Sequence, residues 1–273
     1  METAISTPVS YARSVRTRLA PTPSGFVHEG NLVNFLVISR VAQTCDAAVA
    51  LRLDDIDRPR IRGEYIDDIF RVLTWLEIPW TDGPRSTADM AQWTQHQRLD
   101  RYQRAREELW MTGLAYHCMC SRTQWNAFTG DSCPGECRQG NHAFQVGRTA
   151  TRLHLDGIPD PIIWRRDDLP AYHLTSVVDD HDGRVDLVVR GEDLQASTDV
   201  QRLISRALPD NTFHEALVVH HPLVTLEGRK LSKSAGAQAS PLMLSADVLA
   251  TVSEVAASYS ASAESALLRN LGC

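Results

Sequence analysis

The sequence predicts an α/β protein: a parallel sheet interrupted by a small cysteine-bearing insertion and followed by a short helical C-terminal extension. Three observations carry that reading. Val15, Thr17 and Leu19 alternate with Arg16 and Arg18, and a helix-spaced stripe of Leu32, Phe35, Leu36 and Ser39 follows, which reads as strand, turn and helix. The run from Ala47 to Leu53 is apolar and β-branched apart from Arg52, the pattern of a strand buried on both faces, and it completes a βαβ unit. A further run from Val185 to Val189 ends on Arg190-Gly191-Glu192-Asp193, charged groups at the carboxyl end of a strand, where open α/β sheets bind ligands.

Each element has its own signal. Pro21 and Pro23 stiffen the exit of the first strand, Gly25 allows a tight turn, and a helix should begin near Gly30. Backbone N–H groups and the positive end of a helix dipole then face an anion, with His28 and Asn31 able to donate to phosphate or ribose oxygens. After the second strand, Asp54 and Asp55 stand on the ligand side; alternatively they pair with Arg58 and Arg60 and cap the next helix. Residues 64 to 77 form a helix through Ile66, Ile69, Leu73 and Leu76, ended before Pro79, and residues 95 to 112 form another through Leu99, Tyr102 and Leu109.

That helix leads into Cys118-x-Cys120 and, twelve residues on, Cys133-Pro-Gly-Glu-Cys137. Four thiolates on two turns suit one tetrahedral, structural zinc ion with no position left for catalytic water. Two disulfides would be the reading for a secreted chain, and His117 or His142 could each replace a thiolate, although such histidines more often support ligands than act as them. Short strands at 151 to 155 and 162 to 166 return the chain to the main sheet. Thr198 and Gln201 read as a capping box for a helix ended at Pro209, and residues 216 to 219 as a last strand. His220 and His221 are adjacent, so on a strand they point to opposite faces and make poor co-ligands. Residues 237 to 273, rich in alanine and serine, suggest two short helices. The resulting division is 1–113 and 151–236 as two halves of one catalytic domain, 114–150 as the insert and 237–273 as a helical tail.

At 273 residues the chain can bury one substantial core with an insertion. No apolar run reaches membrane-spanning length and the N-terminal residues lack an export core, so a cytoplasmic location is expected. The net charge of −6 argues against a protein that coats nucleic acid through bulk electrostatics, but local docking through arginine clusters at 13–18, 58–62, 98–106 and 165–166 stays open. Nothing calls for an obligate protein partner.

One compositional fact sharpens the functional reading. Among 28 lysines and arginines, only Lys230 and Lys233 are lysines. A chain that has almost abandoned lysine keeps two, three residues apart, where a compact, mobile ammonium can follow a moving polyphosphate and a planar guanidinium cannot.

His28-Glu29-Gly30-Asn31 and Lys230-Leu231-Ser232-Lys233-Ser234 resemble the paired nucleotide motifs of class I aminoacyl-tRNA synthetases, and Arg18-Leu19-Ala20-Pro21-Thr22-Pro23-Ser24-Gly25 is similar to the glutamyl branch. The resemblance runs from about residue 16 to 236 and implies a Rossmann-type catalytic domain. It implies that His28, Gly30, Asn31, Lys230 and Lys233 bind ATP and assist its reaction, with Mg2+ arriving on the nucleotide. It assigns Arg18, Thr22, Tyr172 and Arg190 to L-glutamate, and Asp54, where the family usually has Glu, to the substrate ammonium. Cys118, Cys120, Cys133 and Cys137 resemble the zinc insert of truncated glutamyl-queuosine tRNA(Asp) synthetases, with Cys133 in place of a tyrosine. The 39 residues after Ser234 are too few for an anticodon-reading domain. The implied reaction is activation of glutamate and transfer to queuosine in tRNA(Asp). Two rivals stand beside it: an acyl-adenylate ligase serving another amino acid or a non-tRNA acceptor, and a non-catalytic zinc-bearing RNA-binding paralogue.

Overall fold

The computed structural model describes residues 14–127, 133–223, 225–226, 229–230 and 240–270, with no side-chain description at 225–226, 229–230 and 262–270. In chain order the elements are β1 (Arg16–Leu19), α1 (Glu29–Thr44), β2 (Ala48–Leu51), α2 (Gly63–Trp75), α3 (Met90–Trp93), α4 (Leu99–Met111), β3 (Ala115–Cys118), α5 (Arg122–Asn126), β4 (Ala150–Leu153), β5 (Ile162–Trp164), α6 (Tyr172–Asp182), β6 (Leu187–Gly191), α7 (Gln195–Ala207), β7 (Leu217–His221), β8 (Thr225–Leu226), β9 (Arg229–Lys230) and α8 (Ala246–Asn270).

Four strands form a wholly parallel sheet in the order β2-β1-β6-β7. Their carboxyl ends therefore lie along one edge, and the connections from β1 to β2 and from β6 to β7 run through α1 and α7. β1 pairs with β2 from Arg16↔Ala48 to Leu19↔Leu51, and β6 with β7 from Leu187↔Leu217 to Gly191↔His221. Beyond β2 the chain comes back alongside it, with Leu51 N–H donating to Asp82 O at 2.8 Å. Gly83 permits that approach: its φ is +115°, and a Cβ there would lie 2.0 Å from Leu51 O.

The core beneath this sheet joins Leu19, Leu51, Leu187 and Val189 to Leu32, Phe35 and Ile38 of α1 and Ile69, Val72 and Leu73 of α2. Val252 and Ala256 of α8 complete it, so the C-terminal helix packs into the same core as α1. A second cluster joins Tyr102 and Leu109 of α4 to Leu153, Ile163, Val177, Val178 and Ile204. It bridges the parallel sheet to a three-stranded antiparallel sheet, β3-β4-β5, which carries the cysteines. β4 pairs with β3 and β5 with β4, so the strands expected at 151–155 and 162–166 lie in this antiparallel sheet.

Two expectations are corrected. The C-terminal segment is one 25-residue helix rather than two short ones; no glycine or proline interrupts 246–270, so nothing forces a break. Thr198 and Gln201 do not begin a helix: α7 starts at Gln195, and both side chains are buried in its interior. Among the described residues no helix is long and apolar enough to cross a membrane.

Candidate active site

The carboxyl edge of the parallel sheet gathers most of the residues singled out in the sequence. His28 is the N-cap of α1, and its backbone N–H donates to Asn31 Oδ1 at 3.2 Å. That contact engages the Asn31 oxygen rather than its amide nitrogen, and it fixes the first turn of α1, which contains Gly30. Thr22 lies exposed in the loop that joins β1 to α1. From the far side of the sheet, His221 at the end of β7 reaches Asn34 of α1 at 3.0 Å, drawing the two termini together. Lys230 follows β7 as the partner of Thr225 in the β8–β9 hairpin; Lys233 lies outside the described residues.

Arg18, Asp54, Tyr172 and Arg190 come together at the same edge. Arg190, near the end of β6, is 4% exposed. Its Nη2 donates to Thr198 Oγ1 at 2.6 Å and to Gln201 Oε1 at 2.7 Å, both on α7. Its Nε is buried with no hydrogen-bond partner, and among the described residues no carboxylate reaches it within ion-pair distance. Burial pushes the Arg190 guanidinium below its ordinary range; Tyr172 opposes this and neighbouring Arg18 adds to it. Asp180 acts on Arg190 only from beyond ion-pair distance, and a buried cation so weakly compensated is costly to hold.

Arg18 is equally buried but not equally alone. Its Nε donates to both oxygens of Asp180 at 3.2 and 3.3 Å. Asp180 also receives Arg52 Nη1 at 2.5 Å, and Arg52 Nε donates to Asp54 Oδ1 at 2.7 Å. Beside them Asp179 is saturated by the Tyr102 hydroxyl at 2.8 and 2.9 Å, Gln95 Nε2 at 2.9 Å and Arg98 Nε at 2.8 Å. Burial would raise the Asp180 carboxyl, but Arg18 and Arg52 outweigh it and hold the group low. For Asp54 burial dominates and pushes its carboxyl up, with Arg52 working against that shift. The alternative of Asp54 pairing with Arg58 or Arg60 is not what forms: its partners are Arg52 and, at 3.5 Å, Gln95.

Sequence reading passed over Arg52, Asp180, Thr198 and Gln201. Arg52 did leave a signal, since a lone charge inside an apolar strand requires a buried partner. Thr198 and Gln201 left none distinguishable from a capping box.

In the insert, the four Sγ atoms of Cys118, Cys120, Cys133 and Cys137 lie within 4.8 Å of one another, buried and free of disulfides. Individual separations are 3.5, 3.4 and 3.7 Å. A tetrahedral ion bound at ~2.3 Å sets its sulfurs roughly 3.8 Å apart, so the donor set fits one metal ion. Gly135 leaves room for it: a Cβ would sit 2.7 Å from Cys120 Sγ. Arg166 Nη2 ties the first knuckle by donating to Met119 O at 3.0 Å and Cys120 O at 2.7 Å. His117 stays out of the cluster, bonded to Thr151 Oγ1 at 3.2 Å and stacked on Trp110.

The family model for "tRNA synthetases class I (E and Q), catalytic domain" matches residues 14–142 and 146–247. The chain belongs to this family. The class I synthetase match takes in both motif regions, the sheet edge between them and most of the cysteine insert. Among curated relatives, glutamate–tRNA ligase 2 of Coxiella burnetii (strain Dugway 5J108-111) is 31% identical over 257 residues, covering 82% of this chain and 52% of the relative. The glutamate–tRNA ligase of Synechococcus sp. is 31% identical over 264 residues, covering 82% and 53%. This class I chain thus spans about half the length of these relatives. The glutamate–tRNA synthetase structure from Elizabethkingia anophelis shares the fold, with a TM-score of 0.63 at 22% identity over 81% of this chain and 53% of that one.

Proposed function

We propose that the chain activates L-glutamate with ATP and passes the glutamyl group to queuosine in the anticodon loop of tRNA(Asp), in the cytoplasm. The observation that carries the amino-acid half is Arg190, a buried guanidinium whose Nε has no hydrogen-bond partner and which no carboxylate among the described residues reaches at ion-pair distance. An incoming side-chain carboxylate satisfies that cation; Arg18 and the Tyr172 hydroxyl shape the same pocket, and Asp54 takes the substrate ammonium. A neutral side chain of the same size would leave Arg190 uncompensated, which is the basis of selection for an acid.

The first step joins the glutamate α-carboxylate oxygen to the α-phosphorus of ATP and breaks the bond to the β-phosphate bridge, releasing pyrophosphate. In the second, the acceptor hydroxyl attacks the acyl carbon, its proton passes to solvent, and AMP departs. No protein nucleophile takes part, so catalysis is positioning and charge stabilisation. His28, Gly30 and Asn31 at the start of α1 receive the nucleotide, and Lys230 and Lys233 follow the leaving pyrophosphate. Magnesium travels with ATP and neutralises phosphate charge. Cys118, Cys120, Cys133 and Cys137 would hold one structural zinc ion, which supplies folding energy to the insert rather than chemistry.

The choice of acceptor is supported by the insert, whose Cys118-x-Cys120 and Cys133-x-x-x-Cys137 spacing resembles that of stand-alone glutamyl-queuosine synthetases. A second reading, transfer of another amino acid or transfer to a non-tRNA acceptor, is favoured by Asp54 standing where the family usually has Glu. Charging assays with glutamate on tRNA(Asp) that contains queuosine and on tRNA(Asp) that lacks it separate the two. Acylation of the queuosine-bearing tRNA alone is expected; equal labelling of both, or of neither, overturns the queuosine assignment.

A further inference from the structure

Four buried charges alternate in sign across the sheet edge: Arg18 on β1, Asp180 on α6, Arg52 just past β2, and Asp54 two residues later. Their side chains are 7%, 0%, 15% and 10% exposed. Asp180 spends both oxygens on the two guanidiniums and, among the described residues, makes no other side-chain contact. Arg18 turns only its Nε to Asp180, so its terminal nitrogens hydrogen-bond to nothing among the described residues. Arg52 divides itself between the two acids, Nη1 to Asp180 and Nε to Asp54, and its Nη2 is buried without a partner.

We infer that Asp180 and Arg52 are positioning residues forming one relay, which sets the distance between the two charged ends of the amino-acid pocket. The inference rests on the assignment of Arg18 and Asp54 to substrate contact made above. An arginine free to rotate loses side-chain entropy when it grips a carboxylate; clamped by its Nε edge, Arg18 has already lost that freedom before substrate arrives. Asp54 is one methylene shorter than the glutamate usual at its position, and Arg52 holds its carboxylate in place. Because Arg18 is held by Asp180, and Asp180 is joined through Arg52 to Asp54, a substrate of the wrong length fits neither end without disturbing the other. The alternating chain also explains how two acids and two arginines share so small a buried volume, each charge being compensated by its neighbours.

The test measures amino-acid-dependent exchange of pyrophosphate into ATP by the full chain carrying Arg52→Gln, Arg52→Lys, Asp54→Asn, or Arg52→Gln together with Asp54→Asn. Arg52 is the least buried member of the relay, and the lysine variant retains its charge should the glutamine variant fold poorly. For Arg52→Gln the KM for glutamate should rise by at least about tenfold, the effect of losing a charged hydrogen bond, while the KM for ATP stays within about twofold. Lysine, a point donor that cannot bridge two carboxylates, should recover only part of the loss. The double variant should raise the KM by less than the product of the two single effects, because part of what Arg52 does runs through Asp54. If Arg52→Gln leaves the glutamate KM unchanged, raises both KM values together, or adds fully to Asp54→Asn, the relay is wrong while the activation reading stands. If the wild type exchanges with no amino acid, both fall.

Discussion

At the carboxyl edge of the parallel sheet, charge is held inside the protein by opposite charge: Arg18, Arg52 and Arg98 against Asp54, Asp179 and Asp180. In the insert, four thiols converge, and among the described residues the hydrophobic side chains packed with them are Tyr116 and the partly buried Trp125. The sheet edge rests on a core drawn from seven elements, so its ion pairs need only orient side chains. Among its described residues the insert has no comparable core, and the four thiols are placed where one ion could hold it together. The difference separates function from scaffold: the sheet edge can tolerate a cation left unpaired for a ligand, as at Arg190, whereas the insert must satisfy all four donors at once.

Removing the metal from the insert breaks this comparison most severely. Structural zinc contributes on the order of 10 kcal/mol to sites of this kind, so chelation, or Cys133→Ser, should take bound metal from one ion per chain to none. Residues 118–149 should then become open to proteolysis while the parallel-sheet body stays resistant. If the insert remains protected without metal, the contrast between the two regions is unfounded.

A smaller effect sharpens the contrast from the other side. Burial depresses His173, His220 and His221 below the ordinary histidine value, with Arg190 adding to the shift at His173 and His220. Because the folded pKa lies below the unfolded value of about 6.5, the unfolded chain takes up protons that the folded one refuses. Stability is therefore full above that value and is lost as pH falls from it through the folded pKa values. Thermal melts at pH 7.5 and 5.5 should show a lower Tm at pH 5.5. His220→Gln, which keeps a polar partner for the Thr198 hydroxyl now 2.8 Å from His220 Nε2, should reduce the difference; an unchanged difference would show that His220 does not contribute to it.

The parts legible in the sequence were those fixed by local pattern. Alternation and apolar runs located the four parallel strands, and their carboxyl ends followed from chain order. The cysteine spacing located the four-thiol cluster without any knowledge of the fold. What escaped depends on partners far along the chain. α6 hides as a helix because Val177-Val178 resembles a strand and Asp179-Asp180 interrupts its apolar stripe. Those acids are satisfied by Arg18, Arg52, Arg98, Tyr102 and Gln95, between 77 and 162 residues away. Thr198 and Gln201 have capping-box spacing, and only the position of Arg190 on β6 shows that they hold a guanidinium instead. The C-terminal segment was misread as two short helices, although no glycine or proline from 246 to 270 calls for a break in the single helix that forms.

The central claim is that Arg190 is a buried cation kept for a substrate carboxylate. Pyrophosphate exchange and thermal melting of the wild type and Arg190→Met test it together. The wild type should exchange with glutamate and far less with glutamine. The methionine variant should lose about 100-fold or more in kcat/KM for glutamate, the effect of losing a charge-assisted pair, with a Tm equal to or above that of the wild type, because a desolvated charge has been removed. Exchange with glutamine as good as with glutamate, or an Arg190→Met protein that keeps its activity and loses its stability, would contradict it.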